Sequence, residues 1–335
     1  MLTLVIIIII LALLFDFLNG MNDAANSIAT VVSTGVLSPK IAVLWAAFFN
    51  VVAAFGFGVH VATTIGKGIV DVAIVDNYLI LSALIGAIVW TDLCTRFGLP
   101  ISVSHALIGG LAGAGVTKAG VGVLIMSGIY RVSLFIVLSP LLGMIMAYLL
   151  MVLVLWIVRR TSPNRVDKVF RVGQLISSAA YSLGHGTNDA QKTMGIIALV
   201  LFAGGYLGST FYVPFWAVLL AHLAIGLGTY MGGWKVVRTM GMKLTHLRPM
   251  GGFCAETASA GMLLGTAIAG IPVSTTHTIA GAIIGVGATR RLSAVRWGIA
   301  GKIIAAWILT IPASAAAASL TYYLVDAIHR IVGLP

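Results

Sequence analysis

The sequence predicts an all-α polytopic membrane protein made of two inverted-topology repeats of about five segments each, with broken helices and re-entrant hairpins. Three observations predict it. Of 335 residues, 60% are hydrophobic and only 9% charged, against roughly 25% charged in a soluble globular domain. The chain is nearly a continuous series of apolar stretches, about ten of them, each near the ~20 residues that a spanning helix needs. Two polar motifs occur twice, in the same order and at nearly the same separation, which is how a transporter-like internal repeat shows itself.

The first stretch, MLTLVIIIIILALLF, has no basic leader and no small-residue cleavage site, so it is expected to be a structural helix rather than a signal peptide. It carries Asp16 and runs into GMNDAANSIAT at 20–30. A second stretch, FFNVVAAFGFG, contains Asn50, and a sparsely charged loop follows with Lys67, Asp71 and Asp76. Asp92 and Arg96 close the next stretch one helical turn apart and are expected to pair. GLPISVSHALIGGLAGAG then spans 98–115, followed by a loop with Lys118 and Arg131 and a long apolar stretch to 158.

The basic segment RRTSPNRVDKVFR separates this half from the next. There GTNDAQKTMGI at 186–196 repeats the Asn-Asp motif, and GIPVSTTHTIAGAIIGVG at 270–287 repeats the proline motif. The predicted organisation is a first transmembrane repeat over 1–158, a cytoplasmic linker over 159–172 and a second, inverted repeat over 173–335. Residues 255–289 are expected to form a hairpin with a polar tip at Pro272, Ser274, Thr275 and Thr276 and arms of roughly 15 residues, about 22 Å each. Pro100, Ser102 and Ser104 form the matching tip of the first half.

Charge sets the orientation. Arg159, Arg160, Arg165, Lys168 and Arg171 oppose one Asp167 in the linker, and Lys235, Arg238, Lys243, Arg248, Arg290, Arg291 and Arg296 fill two loops of the second half. Lys and Arg mark the inner side of a membrane. The equivalent loops of the first half lack that excess, so equivalent loops face opposite sides and both termini lie outside. This reading also accounts for the formal net charge of +11 without a nucleic-acid partner. Cys94 and Cys254 lack any CxxC or histidine spacing and read as packing residues.

Ionisable groups inside a span cost about 2.5–3.5 kcal/mol on insertion scales and default to a functional reading. Asp23 lies with Asn22, Asn26 and Ser27, and Asp189 with Asn188, Gln191 and Thr193. Their oxygens suit a hard cation stripped of water, while amide nitrogens can donate to an anion. Asp and Asn also compete for backbone bonds, so the helix is expected to unwind there. A proline followed by Ser or Thr suits a helix start whose free N–H groups favour an anion. Ser102, Ser104, Ser274, Thr275 and Thr276 would thus offer hydroxyls to one oxyanion, the competing use of Ser102 and Ser274 being simple N-capping. His105 and His277, at matching places, either couple protons or bond a neighbouring arm. Glu256 has no local cation and is a candidate for ion coupling. Lys192, three residues after Asp189, either neutralises it or meets the anion. His60, His185 and His222 take no role at this level.

The motifs GMNDAANS, GTNDAQKTMG, PISVSH and PVSTTH resemble the paired signatures of the inorganic phosphate transporter family, and the resemblance covers nearly the whole chain. It implies a homodimeric, multi-pass symporter of the inner or plasma membrane that carries phosphate with sodium or protons and uses no cofactor. Carried onto this sequence, substrate binding falls to Asp23, Ser102, Ser104, Asn188, Asp189, Gln191, Ser274, Thr275 and Thr276. Cation binding falls to Asn22, Asp23, Asn26, Asn188, Asp189 and Glu256, with Asn22, Asp23, Asn188 and Asp189 holding sodium if sodium is the coupling ion. Asn50 stands where some sodium-coupled relatives have a glutamate, which leaves sodium and proton both open. A sulfate permease is the alternative within the family. An intramembrane enzyme is disfavoured, since HExxH, GxSxG and P-loop motifs are absent from the sequence.

Overall fold

The computed structural model describes residues 2–56 and 58–332, which form twelve α-helices. Phe57 and the outermost ends of the predicted repeats, residues 1 and 333–335, lie outside the described residues. The helices are α1 (Leu2–Ser33), α2 (Pro39–Val52), α3 (His60–Lys67), α4 (Asn77–Phe97), α5 (Val103–Ala119) and α6 (Met126–Val158), then α7 (Pro163–Ala203), α8 (Phe215–Met231), α9 (Trp234–Lys243), α10 (Pro249–Ile268), α11 (Thr275–Ala288) and α12 (Trp297–Val332).

Local sequence sets many of the boundaries. Pro39, Pro163 and Pro249 begin α2, α7 and α10, where a missing N–H is harmless and φ is already helical. Gly98 ends α4 at φ 69°, a left-handed conformation that glycine takes without steric cost. The expected basic linker is mostly helix: only 159–162 separates α6 from α7, and Arg171 pairs with Asp167 at 2.9 Å along the helix face. With 41 residues, α7 has a contour length of about 62 Å, twice the hydrocarbon thickness of a bilayer. Its first turns carry exposed Arg165, Asp167, Lys168 and Arg171, while Phe170 packs into a hydrophobic core.

Among the described residues, four helices are long and apolar enough to cross a membrane, α1, α4, α6 and α12, and two pairs qualify together across a bend, α2/α3 at 85° and α8/α9 at 70°. That is fewer than the ten spans expected. The remaining helices are short, as α5 and α11 are, or carry polar residues at mid-length, as α7 and α10 do. A helix surrounded by protein can keep polar groups facing inward and needs no apolar face all round. The bends also correct the expected unwinding. Both Asn-Asp motifs lie inside uninterrupted helix, in α1 and α7, and Asn22, Asp23, Asn26 and Asp189 bond other elements instead of their own backbone.

The chain folds back through itself: α5 packs on α12, and α11 packs on α6. Glycines permit both approaches. A methyl group at Gly281 or Gly285 would overlap the Pro140 or Met144 carbonyl of α6, and one at Gly113 the Ala315 carbonyl of α12, the close backbone contact that small residues allow in membranes. Gly281→Val is therefore expected to lower stability by about 1–3 kcal/mol, the usual effect of overpacking. Thermal unfolding in detergent micelles measures this, with Gly261→Ala, whose position is open, expected to melt no lower than wild type.

Beside two smaller clusters, two large hydrophobic cores result. One gathers α9, α10 and α11 with the second half of α1 and the first half of α7. The other gathers α3, α4 and α5 with the first half of α1 and the last turns of α7. Both long helices thus pass through both cores, and their polar mid-sections fall between them. Outward-facing Leu141, Leu142, Ile145, Ile304 and Ile308 on α6 and α12 are exposed, as expected of a lipid-facing surface. Cys94 and Cys254 are buried and free.

Candidate functional site

Four elements converge between the cores: the mid-sections of α1 and α7 and the starts of α5 and α11. The two hairpin tips, 98–102 and 269–274, meet there. Thr276 Oγ1 lies 2.9 Å from the Ile101 carbonyl, and the His105 and His277 rings contact edge to face at 4.9 Å. His277 also stacks on Trp307 of α12 at 3.8 Å. His277 Nδ1 lies 3.3 Å from the Ile136 carbonyl of α6, whereas His105 Nδ1 is buried without a partner.

Asp23 and Asp189 come together here although 166 positions separate them in sequence, joined by the tip of α11. Thr275 Oγ1 is 3.2 Å from Asp23 Oδ2 and 3.0 Å from Asp189 Oδ2, so one hydroxyl proton serves two carboxylates. Thr276 Oγ1 is 3.1 Å from Asp23 Oδ1 and accepts from Asn26 Nδ2 at 2.9 Å. Lys192 Nζ donates to Asp189 Oδ1, to Ser104 Oγ and, at 3.1 Å, to the Val273 carbonyl. All these groups are buried.

His185, which sequence reasoning left without a role, is central. Its Nε2 lies 3.2 Å from Asp189 Oδ2 and 3.9 Å from Asp23 Oδ2, while its Nδ1 lies 3.1 Å from Asn50 Oδ1. Asn50 in turn donates to Thr229 Oγ1 at 2.9 Å, so α2 and α8 hold the ring from behind. The signal was present: His185 precedes Asp189 by four residues, which places both on one helix face. Asp23, His185 and Asp189 can each offer one ligand atom to a metal ion, all within 4.8 Å of one another.

The remaining predicted residues divide. Asn22 Nδ2 donates to Thr95 Oγ1 at 2.8 Å. Gln191 Oε1 accepts from the Val61 and Ala62 amides at 2.7 and 3.2 Å, satisfying free N–H groups at the start of α3. Ser102 and Ser274 cap α5 and α11 by accepting from the His105 and His277 amides, each at 3.2 Å. That is the N-capping role, and it leaves each hydroxyl its proton to donate. Asn22 Oδ1, Asn26 Oδ1, Gln191 Nε2 and both amide atoms of Asn188 are buried without a partner. Unpaired buried polar atoms cost about 1–3 kcal/mol each, and these amides are placed to meet a polar ligand.

Glu256 does not join the cluster. It accepts from Gln174 Nε2 at 2.9 Å and Ser177 Oγ at 2.5 Å, residues that precede Asp189 on α7 by a helical rise of roughly 18–22 Å. Thr34 Oγ1 donates to Gln174 at 2.8 Å in the same group. Asp16 is buried beside Asn19, and Asp92 pairs with Arg96 at 2.7 Å as expected.

The family described as the phosphate transporter family matches residues 19–318. A probable low-affinity inorganic phosphate transporter of Rhizobium meliloti is 57% identical over 319 residues, 95% of this chain and 96% of that protein. One of the same description from Bacillus subtilis is 40% identical over 330 residues, covering 98% and 99%. Among solved structures, one titled the sodium-dependent phosphate transporter superposes with a TM-score of 0.90 at 29% identity, covering 97% of this chain and all of that one.

Proposed function

Since this chain belongs to the phosphate transporter family, we propose that it is a secondary active symporter that moves inorganic phosphate across a cell membrane together with cations, by alternating access. One observation supports this above the others: two buried carboxylates, one from each Asn-Asp motif, share the hydroxyls of a single hairpin tip amid unpartnered amides. Acceptor oxygens suit cations and the protonated oxygens of phosphate, while hydroxyls, amide nitrogens and the helix starts of α5 and α11 suit its ionised oxygens.

Energetics require the cations. Moving one charge against 100 mV costs about 2.3 kcal/mol, so divalent phosphate entering a negative interior costs about 4.6 kcal/mol before any gradient, and two monovalent cations cancel it. In this reading Asp23, Asp189 and their neighbouring amides hold cation and anion together. The segments 1–158 and 173–335 act as inverted repeats about that centre, joined by 159–172, and their hairpins part on alternate sides. Sodium or protons drive the cycle, and Glu256, with Gln174 and Ser177, forms a second buried group suited to a cation. A homodimer in the inner or plasma membrane completes the proposal.

The test is uptake of radiolabelled phosphate into proteoliposomes of the purified chain, with sodium and proton gradients imposed separately and excess unlabelled sulfate present. Uptake driven by one gradient and indifferent to sulfate is expected. No uptake under either gradient overturns the proposal.

A further inference from the structure

We propose that Lys192 is a tethered substitute for one bound cation: its ammonium occupies an oxygen cage of the kind that takes a monovalent metal ion, so that position is filled by the protein itself and binds no travelling ion. The cage is made of one carboxylate, Asp189, one hydroxyl, Ser104, and one backbone carbonyl, Val273, drawn from α7, α5 and the tip before α11. All three accept through oxygen. That is the ligand chemistry of a hard cation stripped of water, and three acceptors match the three protons of an ammonium.

The chain carries its own comparison. Aligning NDAAN at 22–26 with NDAQK at 188–192 places Asn26 opposite Lys192. Both side chains reach across to a hairpin tip, Asn26 by its Nδ2 to Thr276 Oγ1 at 2.9 Å, Lys192 to Ser104 and Val273. Asn26, one helical turn after Asp23 on α1, leaves its Oδ1 buried and unpartnered, an open ligand for a mobile cation. At the matching place in the second half the ligand is replaced by the charge itself. Lys192 is 1% exposed, and an ammonium so buried persists only when paired and hydrogen-bonded. The two halves thus divide the task, with one cation position open and one permanently filled.

This rests on the reading of the site as a joint anion and cation site, and its test is separable from that reading. Lys192→Asn makes the second motif resemble the first. The measurements are equilibrium binding of radiolabelled sodium to the purified chain and the ratio of sodium to phosphate taken up by proteoliposomes. The variant is expected to bind one more sodium ion per chain than wild type and, where it transports, to carry one more per phosphate. Lys192→Met, which removes the charge without supplying an oxygen, is expected to gain no sodium and to lose uptake. Lys192→Ser supplies an oxygen on a smaller side chain and gives the same count should the asparagine variant not fold. Equal sodium counts in wild type and the folded oxygen-bearing variant overturn the proposal. Absence of phosphate uptake by the wild type instead counts against the symporter reading and leaves the sodium count standing.

Discussion

Asp189→Asn is expected to reduce phosphate uptake by about a hundredfold or more. The substitution keeps the shape of the side chain and removes its charge, but three neighbours depend on that charge. Lys192 donates to one carboxylate oxygen, while Thr275 and His185 approach the other at 3.0 and 3.2 Å. Breaking a buried ion pair from one side costs about 3–5 kcal/mol, because the remaining charge stays buried and uncompensated. At 1.4 kcal/mol per tenfold, that is a factor of a hundred to a few thousand. Initial uptake rates in proteoliposomes, normalised to protein that elutes as a single folded species, measure it. A variant with normal transport would rule out Asp189 as part of the site.

Thr275→Val should lower uptake roughly ten- to a hundredfold, while Thr275→Ser stays within a few-fold of wild type. Valine fills the same volume without the hydroxyl that lies between Asp23 Oδ2 and Asp189 Oδ2. Depriving a buried acceptor of its donor costs about 1–3 kcal/mol, and here two acceptors share one donor. Serine restores the O–H, so equal losses in both variants would point to packing at the tip rather than to the hydrogen bonds. Phosphate concentration series separate a change in half-saturation from one in maximal rate.

Both predictions concern residues that the sequence singles out, yet their geometry was legible only in part. Ser102 and Ser274 show the readable side. Each precedes a helix by one residue, and capping is a local relation between a hydroxyl and an amide three residues on. Glu256 shows the opposite. Its type and burial marked it as functional, but its partners Gln174 and Ser177 lie about 80 residues earlier in the chain, and no local rule places them beside it or keeps it from Asp23. Gln191 is a third kind: its motif pointed to a ligand, whereas its oxygen secures the start of α3.

The helix breaks follow the same logic. Asn and Asp weaken a helix only where their side chains turn to their own backbone. In α1, Asn22, Asn26 and Asp23 turn instead to Thr95, Thr276 and Thr275, and in α7 Asp189 turns to Thr275, and the helices stay continuous. The chain bends elsewhere, between α2 and α3 and between α8 and α9, where no such motif draws the eye.

What the sequence determined by itself is what depends on composition, period and neighbours: a bilayer environment, helices throughout, a doubled set of motifs, and the residues with chemistry to offer. Tertiary structure alone decided which of those residues meet. His185 enters the site because α2 and α8 orient it through Asn50 and Thr229, and Lys192 finds its carbonyl on a hairpin tip 81 residues away. Contacts of that kind arise from the packing of whole helices, whose relative placement is fixed by glycine-lined interfaces and two separate cores rather than by the motifs themselves.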